Sequence, residues 1–122
     1  RNKGNQGDFE TIEGKQVIHS TADRSKKKGW FLGPWNSKVP IPVGYTNEAV
    51  NEKHYHEHMF QIYLVAKGES TVVVDDKVVT VNSGDVLVAE PNEVHCFMKV
   101  SADYLHFVVH APFVKDDKVL AE

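Results

Sequence analysis

Short apolar segments recur through residues 60–110 at a spacing of roughly ten residues. They are rich in β-branched and aromatic side chains, which favour strands, and turn-forming residues such as glycine, asparagine and aspartate lie between them. The predicted strands are residues 60–66, 70–74, 77–81, 85–89, 95–100 and 104–110. No helical window separates these segments, so the pattern predicts an all-β fold, either an antiparallel sandwich or a barrel.

The N-terminal half gives weaker signals. Residues 16–20 and 29–32 are short strand candidates, and the glycine and prolines of residues 33–42 indicate loops or edges. Residues 1–14 are polar and rich in glycine, so we expect an N-terminal arm that is loose or forms an edge strand. Because no linker or repeat follows, we expect residues 15–122 to form one domain.

Composition argues against nucleic acid and membrane partners. The chain of 122 residues has 14 basic and 17 acidic side chains and a net charge of -3, which is too mild to indicate nucleic acid. Its apolar stretches are far shorter than a membrane span, so we expect no membrane partner. The single cysteine, Cys96, cannot form an internal disulfide, which favours a reducing, cytoplasmic location.

The strand predicted at residues 60–66 is apolar on both faces apart from Gln61. One face carries Phe60, Ile62 and Leu64, and the other carries Tyr63 and Val65. Such a strand needs a cover besides its own barrel, which the N-terminal arm or a second subunit could supply. Because small β-barrels tend to associate symmetrically, we expect a homodimer.

Three of the seven histidines lie within residues 54–58. On an extended strand His54 and His56 project from the same face, so their imidazoles can reach one point. Gln61 is an odd number of residues from His56, so on a continuous strand its side chain would face the opposite way. A bend after His56 would return it to the side where the two imidazoles meet. His95 follows a later turn, at the start of its own strand. Taken alone, however, these residues could also be a polar strand face and a hydrogen-bonded core histidine.

Three imidazoles and one amide oxygen would form a neutral ligand set of intermediate softness. Such a set suits Zn, Ni, Fe, Cu or Mn better than Ca or Mg. If the four side chains meet, we therefore expect a transition metal.

Two stretches of the chain resemble the two motifs of the cupins. The first is His54-Tyr-His56, four residues, Gln61, six residues and Gly68, and the second is the segment GDVLVAEPNEVH that ends at His95. The resemblance covers roughly residues 28–112 and implies a cupin double-stranded β-helix, which is a jelly-roll-like antiparallel barrel. It also implies one divalent transition metal (Zn, Ni, Fe or Mn) held by His54, His56, Gln61 and His95.

Two positions depart from the family pattern. Asn92 stands where the family usually has glycine, and asparagine also tolerates a left-handed backbone. Gln61 stands where the family usually has glutamate, so a bound metal would keep its full charge and be a stronger Lewis acid. A His/His/Gln/His set resembles that of cupins that ketonise unsaturated uronates and of cupins that cyclise polyketides. A degraded site without metal is the alternative interpretation of Gln61.

Other residues are candidates for proton transfer. His106, Val108 and His110 share a face of the last predicted strand, so at least one of these histidines should point into the barrel. It would be a general base, an extra ligand or a core histidine bonded to backbone. We prefer His110 as the base, because the resemblance to uronate-converting cupins implies an acid–base residue near this position. Tyr63 should face the cavity too, as a proton donor or only as part of the wall.

The remaining candidates are less specific. His58 would be a fifth ligand or a surface residue of the bend, and Cys96 should face away from His95. Trp30, Trp35 and Tyr45 would line the mouth of the cavity or belong to ordinary packing.

The resemblance implies an enzyme that acts as a Lewis acid on a small carbonyl or enol substrate, by isomerisation, ketonisation, cyclisation or lyase chemistry. An Fe(II)-dependent dioxygenase and a non-catalytic cupin that binds metal or a small molecule are the alternatives. A metal-independent epimerase fits less well, because it would leave three converging histidines unused.

Overall fold

The computed structural model describes residues 9–12, 15–18 and 27–121. Within these ranges the chain forms twelve strands and no helix, and so no helix that could cross a membrane. The strands are β1 (Phe9–Ile12), β2 (Lys15–Ile18), β3 (Lys28–Leu32), β4 (Val43–Thr46), β5 (Val50–His56), β6 (Phe60–Lys67), β7 (Glu69–Val74), β8 (Lys77–Asn82), β9 (Val86–Ala89), β10 (His95–Val100), β11 (Leu105–Ala111) and β12 (Lys118–Leu120).

Two five-stranded antiparallel sheets make up the barrel. Their strand orders are β12-β5-β10-β7-β8 and β3-β4-β11-β6-β9, and β1 and β2 form a separate hairpin. From β5 onward the chain passes repeatedly from one sheet to the other, which is the connectivity of a double-stranded β-helix. The predicted all-β fold is therefore confirmed.

The strands predicted in residues 60–110 are all present, with bounds that differ by at most one residue. Sequence patterns missed β4, which contains a glycine and follows two prolines, and β12, which has three residues in a charged segment. The strand predicted at residues 16–20 corresponds to β2, and its residues 19–20 lie outside the described residues. Of the N-terminal arm, residues 9–12 form β1, and residues 1–8 and 13–14 lie outside the described part.

Two turns of the predicted motifs need a left-handed backbone. Asn92 has a φ of 70°, which asparagine tolerates in place of glycine. Gly68 has a φ of 74°, and a Cβ atom there would also overlap the Ser101 hydroxyl. These turns set the direction in which β7 and β10 begin.

The hydrophobic core lies between the two sheets. Its main cluster consists of Tyr63, Val65, Val72, Val81, Ala89, Phe97, Tyr104 and Val108. A second cluster consists of Phe31, Leu32 and Tyr45, where Tyr45 stacks on Phe31 with ring centroids 5.1 Å apart. Tyr45 therefore packs mainly as a core residue, whereas Trp30 packs at the edge of the main cluster.

The two faces of β6 differ in exposure. The inward side chains of Gln61, Tyr63 and Val65 are buried, but Phe60 and Leu64 on the outward face are 41% and 39% exposed. The paired strand β9 continues this surface with Val86 and Val88, which are 57% and 46% exposed. The outward face is apolar, as expected, and a second subunit over it stays a prediction.

Candidate metal centre

A cavity of about 340 Å³ lies between the sheets, and its lining residues come from both of them. Its polar lining residues include His54, His56, Gln61, Tyr63, Thr46, His106 and His110. A second depression of about 380 Å³ is lined by none of these histidines. The histidines therefore identify the first cavity as the candidate site.

The four predicted ligands lie on three strands, β5, β6 and β10, of which β5 and β10 are paired. His54 on β5 pairs directly with His95 on β10, and Gln61 on β6 pairs with His110 on β11. His95 is 1% exposed and lies behind His54, with ring centroids 4.4 Å apart. The ring centroid of His56 is 5.5 Å from that of His54 and 6.3 Å from that of His95.

The bend between β5 and β6 brings the Gln61 side chain into the cavity, as expected from the alternation of side chains along the strand. It spans residues 57–59, because Phe60 already belongs to β6 rather than to the bend. Asp117 holds this bend, since its Oδ2 accepts hydrogen bonds from the backbone N–H groups of His58 and Met59 at 2.8 and 2.9 Å. The sequence gives no signal for this role, because Asp117 is one acid in a charged C-terminal segment.

Backbone carbonyls orient two of the imidazoles. His54 Nδ1 donates to the Glu52 carbonyl at 2.8 Å, and His95 Nδ1 donates to the Glu93 carbonyl at 2.9 Å. A proton on Nδ1 leaves the lone pair on Nε2, which is the arrangement of metal-binding histidines. The repeated link to the carbonyl two residues earlier thus prepares both rings as ligands.

Two buried polar atoms in the cavity have no hydrogen-bond partner among the described residues. These atoms are His56 Nδ1 and Gln61 Oε1. The Gln61 amide is oriented by its nitrogen, which donates to His110 Nε2 at 2.9 Å and leaves the oxygen unpaired. An unpaired buried acceptor costs about 1–3 kcal/mol, unless a ligand satisfies it. The donor set therefore fits a divalent transition metal.

The cavity histidines are neutral near pH 7. Burial, with a smaller contribution from neighbouring histidines, lowers the pKa of His56 and of His95 to about 4. Burial also lowers the pKa of His110 to about 3, with a smaller contribution from His56. Neutral imidazoles keep a lone pair for a metal or a proton, so the site is suited to either use.

His106 and His110 both face inward with Val108, in agreement with the alternation of the strand. His106 is hydrogen-bonded through Nδ1 to the Tyr104 hydroxyl at 2.7 Å, and burial lowers its pKa to about 4. Its ring centroid lies 5.0 Å from that of Tyr63. His106 is therefore a hydrogen-bonded histidine within an aromatic cluster.

Tyr63 faces the cavity and contacts a predicted ligand. Its hydroxyl donates to His95 Nε2 at 3.1 Å, because His95 Nδ1 already carries a proton. Burial raises the pKa of the Tyr63 hydroxyl well above its ordinary value, so the group stays protonated. Tyr63 can donate a hydrogen bond but is not a base.

His58 lies outside the cavity, in the bend. Its Nδ1 contacts Asp117 Oδ1 at 2.7 Å. Among the described residues, Glu57, His58 and Asp117 form a group whose potential ligand atoms all lie within 4.8 Å of one another. Because the Asp117 carboxylate already accepts three hydrogen bonds, this surface group has a structural explanation.

The sequence patterns missed two lysines that line the cavity, Lys28 and Lys118. Lys118 on β12 pairs in register with His56 on β5. No local signal predicts this neighbour, since β12 was not predicted. Cys96 is buried but does not line the cavity, as its opposite parity to His95 suggested.

Residues 44–110, which are 67 of the 122 residues, match the Cupin_2 family, described as the cupin domain. A Klebsiella pneumoniae protein with a double-stranded β-helix domain is 25% identical over 67% of this chain and 73% of its own, with a TM-score of 0.56. KdgF from Halomonas sp. is 20% identical over 89% of each chain, with a TM-score of 0.61. Streptomyces Pac13, a nucleoside dehydratase, is 14% identical over 79% of this chain and 86% of its own, with a TM-score of 0.58. No curated protein matches the sequence.

Proposed function

Because the chain belongs to the cupin domain family, we propose that it is a metal-dependent enzyme acting on a small carbonyl or enol compound. The reaction class is isomerisation, ketonisation, cyclisation or elimination, all of which move a proton next to a carbonyl group. The residues that would hold one divalent transition metal (Zn, Ni, Fe or Mn) are His54, His56, Gln61 and His95.

The unpaired oxygen of Gln61 carries this proposal. It is buried among neutral imidazoles, and its amide nitrogen is already bonded to His110. The amide thus presents an acceptor to the cavity that no group of the described residues satisfies. A cation is the simplest partner for such an acceptor beside three electron-pair donors.

When bound, a divalent metal acts as a Lewis acid on a carbonyl or enol oxygen, and four neutral ligands leave its charge undiminished. The protein supplies the proton transfer. Tyr63, kept protonated by burial, can donate a hydrogen bond to a developing oxyanion. His110 is neutral and can accept a proton at Nε2 once a substrate group replaces Gln61 Nε2 there, which leaves Gln61 Oε1 for the metal.

His106 has a different position from His110. Its Nδ1 is already hydrogen-bonded to Tyr104, so Nε2 is the atom available for proton exchange with a molecule in the cavity. We therefore propose His110 as the principal base and His106 as a residue of the cavity wall that can join the proton transfer. Support for turnover, rather than binding alone, comes from Pac13, a nucleoside dehydratase that shares the fold.

The proposal is tested by the metal content of the natively purified protein, measured by elemental mass spectrometry. We expect about one equivalent of metal per chain. The metal should be lost when His56 and His95 are both replaced by alanine, since each replacement removes a side chain that would bind it directly. The matched control is His58→Ala, which should keep the metal. Retention of the metal by the double variant would show that the ligand assignment is wrong, and iron as the bound metal would favour the dioxygenase alternative.

A further inference from the structure

Of the described residues that line the cavity, those with a charge are basic, and Glu52 pairs with one of them just outside the lining. Among the described residues that line it, two are lysines, Lys28 and Lys118, and none is an aspartate or a glutamate. The neutral His/Gln set adds no negative charge, so a divalent cation would make the cavity more positive still. Both lysines are solvent-exposed, and an anionic ligand at the opening would pair with their positive charge.

The two lysines come from different sheets. Lys28 is on the edge strand β3 and Lys118 is on the edge strand β12. The Lys118 side chain is 43% exposed, so it borders solvent at the opening of the cavity. It is also the cross-strand neighbour of His56, which places its ammonium beside the proposed metal ligands.

Lys118 has an ion pair, but this pair does not account for its position. Its Nζ contacts Glu52 Oε1 at 2.8 Å, and both side chains are at least 43% exposed. Surface pairs of this kind contribute little to stability. An ammonium has three N–H donors, so two remain for a ligand beside Glu52.

Part of the cavity wall is apolar. Trp30, Phe97 and Val108 line the cavity, and the ring of Trp30 meets the edge of His110 with centroids 4.9 Å apart. A planar ring or conjugated chain can pack against such a wall. The cavity therefore combines a cationic, an apolar and a histidine-lined part.

We propose that the substrate is a small planar carbonyl compound that carries a carboxylate, and that Lys118, together with Lys28, binds this carboxylate at the opening. The inference rests on the proposed function as far as the carbonyl group of the substrate is concerned. The contact of the carboxylate with the lysines does not depend on the metal. Lys118 is then a specificity-determining residue, which selects the acid over neutral compounds of the same shape.

The test uses two probes that differ only in charge, 4-oxo-4-phenylbutanoate and its amide 4-oxo-4-phenylbutanamide. Calorimetric titration of the zinc-loaded protein at physiological ionic strength should give an affinity about tenfold higher for the acid. Lys118→Met should remove most of this preference without weakening the amide, and Lys118→Arg should keep it.

Lys53→Met is the matched control, because it removes the same charge from the neighbouring strand. Lys53 does not line the cavity, so this variant should keep the preference for the acid. Equal affinities for acid and amide, no binding of the acid, or equal losses in the two methionine variants would overturn the proposal.

A metal-free titration separates this inference from the proposed function. If zinc does not bind, the metal-binding proposal fails, but the metal-free protein should still prefer the acid through Lys118. If zinc binds and the preference is absent with and without metal, the anion proposal alone is overturned.

Discussion

The inner face of β6 and β11 mixes polar and apolar side chains, whereas the outer face is apolar. Gln61, His106 and His110 point inward and are at most 9% exposed, whereas Phe60 and Leu64 point outward and are about two fifths exposed. Antiparallel sheets ordinarily bury their apolar face and expose their polar one. The buried polar groups of the inner face and the exposed apolar groups of the outer face both depart from this rule.

The inner face tolerates its polar groups because most of them are paired. His106 is bonded to Tyr104, His95 to Tyr63 and the Glu93 carbonyl, and His110 to the Gln61 amide. The two unpaired atoms belong to His56 and Gln61, which are two of the four proposed metal ligands. An apolar core of the same shape would be more stable, so the cost of these groups points to function.

The largest expected effect is acid destabilisation through the inner face. His106 has a pKa of about 4 in the folded protein and about 6.5 when unfolded, so the unfolded chain binds more protons between these values. Stability should therefore fall as the pH drops from 6.5 towards 4, by about 3 kcal/mol for one such histidine. Urea unfolding of the metal-free protein at pH 7, 5.5 and 4.5 measures this loss.

The control for this prediction is His106→Gln, which removes one titrating group and retains a partner for Tyr104. Its stability should depend less steeply on pH than that of the original chain. A free energy of unfolding that is constant from pH 7 to 4.5 would contradict the neutral, buried state of the inner histidines.

A smaller effect is expected from Gln61→Glu. The carboxylate keeps an oxygen ligand, so metal should be retained, but it reduces the positive charge of the cavity and raises the pKa of His110 beside it. The affinity for 4-oxo-4-phenylbutanoate should fall about tenfold, which is 1.4 kcal/mol. Calorimetry measures the affinity, and elemental analysis measures the metal content. An unchanged affinity would show that the charge of the site does not control binding of the acid.

The smallest effect on fold stability is expected at the outer face. Leu64→Lys replaces an exposed side chain and should change the free energy of unfolding by no more than about 0.5 kcal/mol. If a second copy covers this face, the same change should convert a dimer into a monomer in sedimentation velocity. Val78→Lys, at a position 68% exposed on the other sheet, is the control that should stay dimeric. A wild-type monomer would contradict the predicted homodimer.

The features that the sequence predicted are those that depend on the alternation of side chains along a single strand. The strands from residue 60 onward, the shared face of His54 and His56, and the inward direction of His106 and His110 all follow from a period of two. The bend between β5 and β6 could be inferred because, without it, Gln61 would face away from His54 and His56.

The parts that could not be predicted depend on pairings distant in the chain. Lys118 lies beside His56 only because β12 closes the edge of the first sheet, and the three residues of β12 have no distinctive pattern. The bond of Tyr104 to His106 and the support of the bend by Asp117 likewise join side chains that local periodicity does not connect.

Anomalous diffraction at the zinc edge, from crystals grown with zinc, locates a bound cation directly. The account predicts a peak within coordination distance of the imidazoles of His54, His56 and His95 and of Gln61 Oε1. A peak confined to the surface group of Glu57, His58 and Asp117, with none in the cavity, would contradict it.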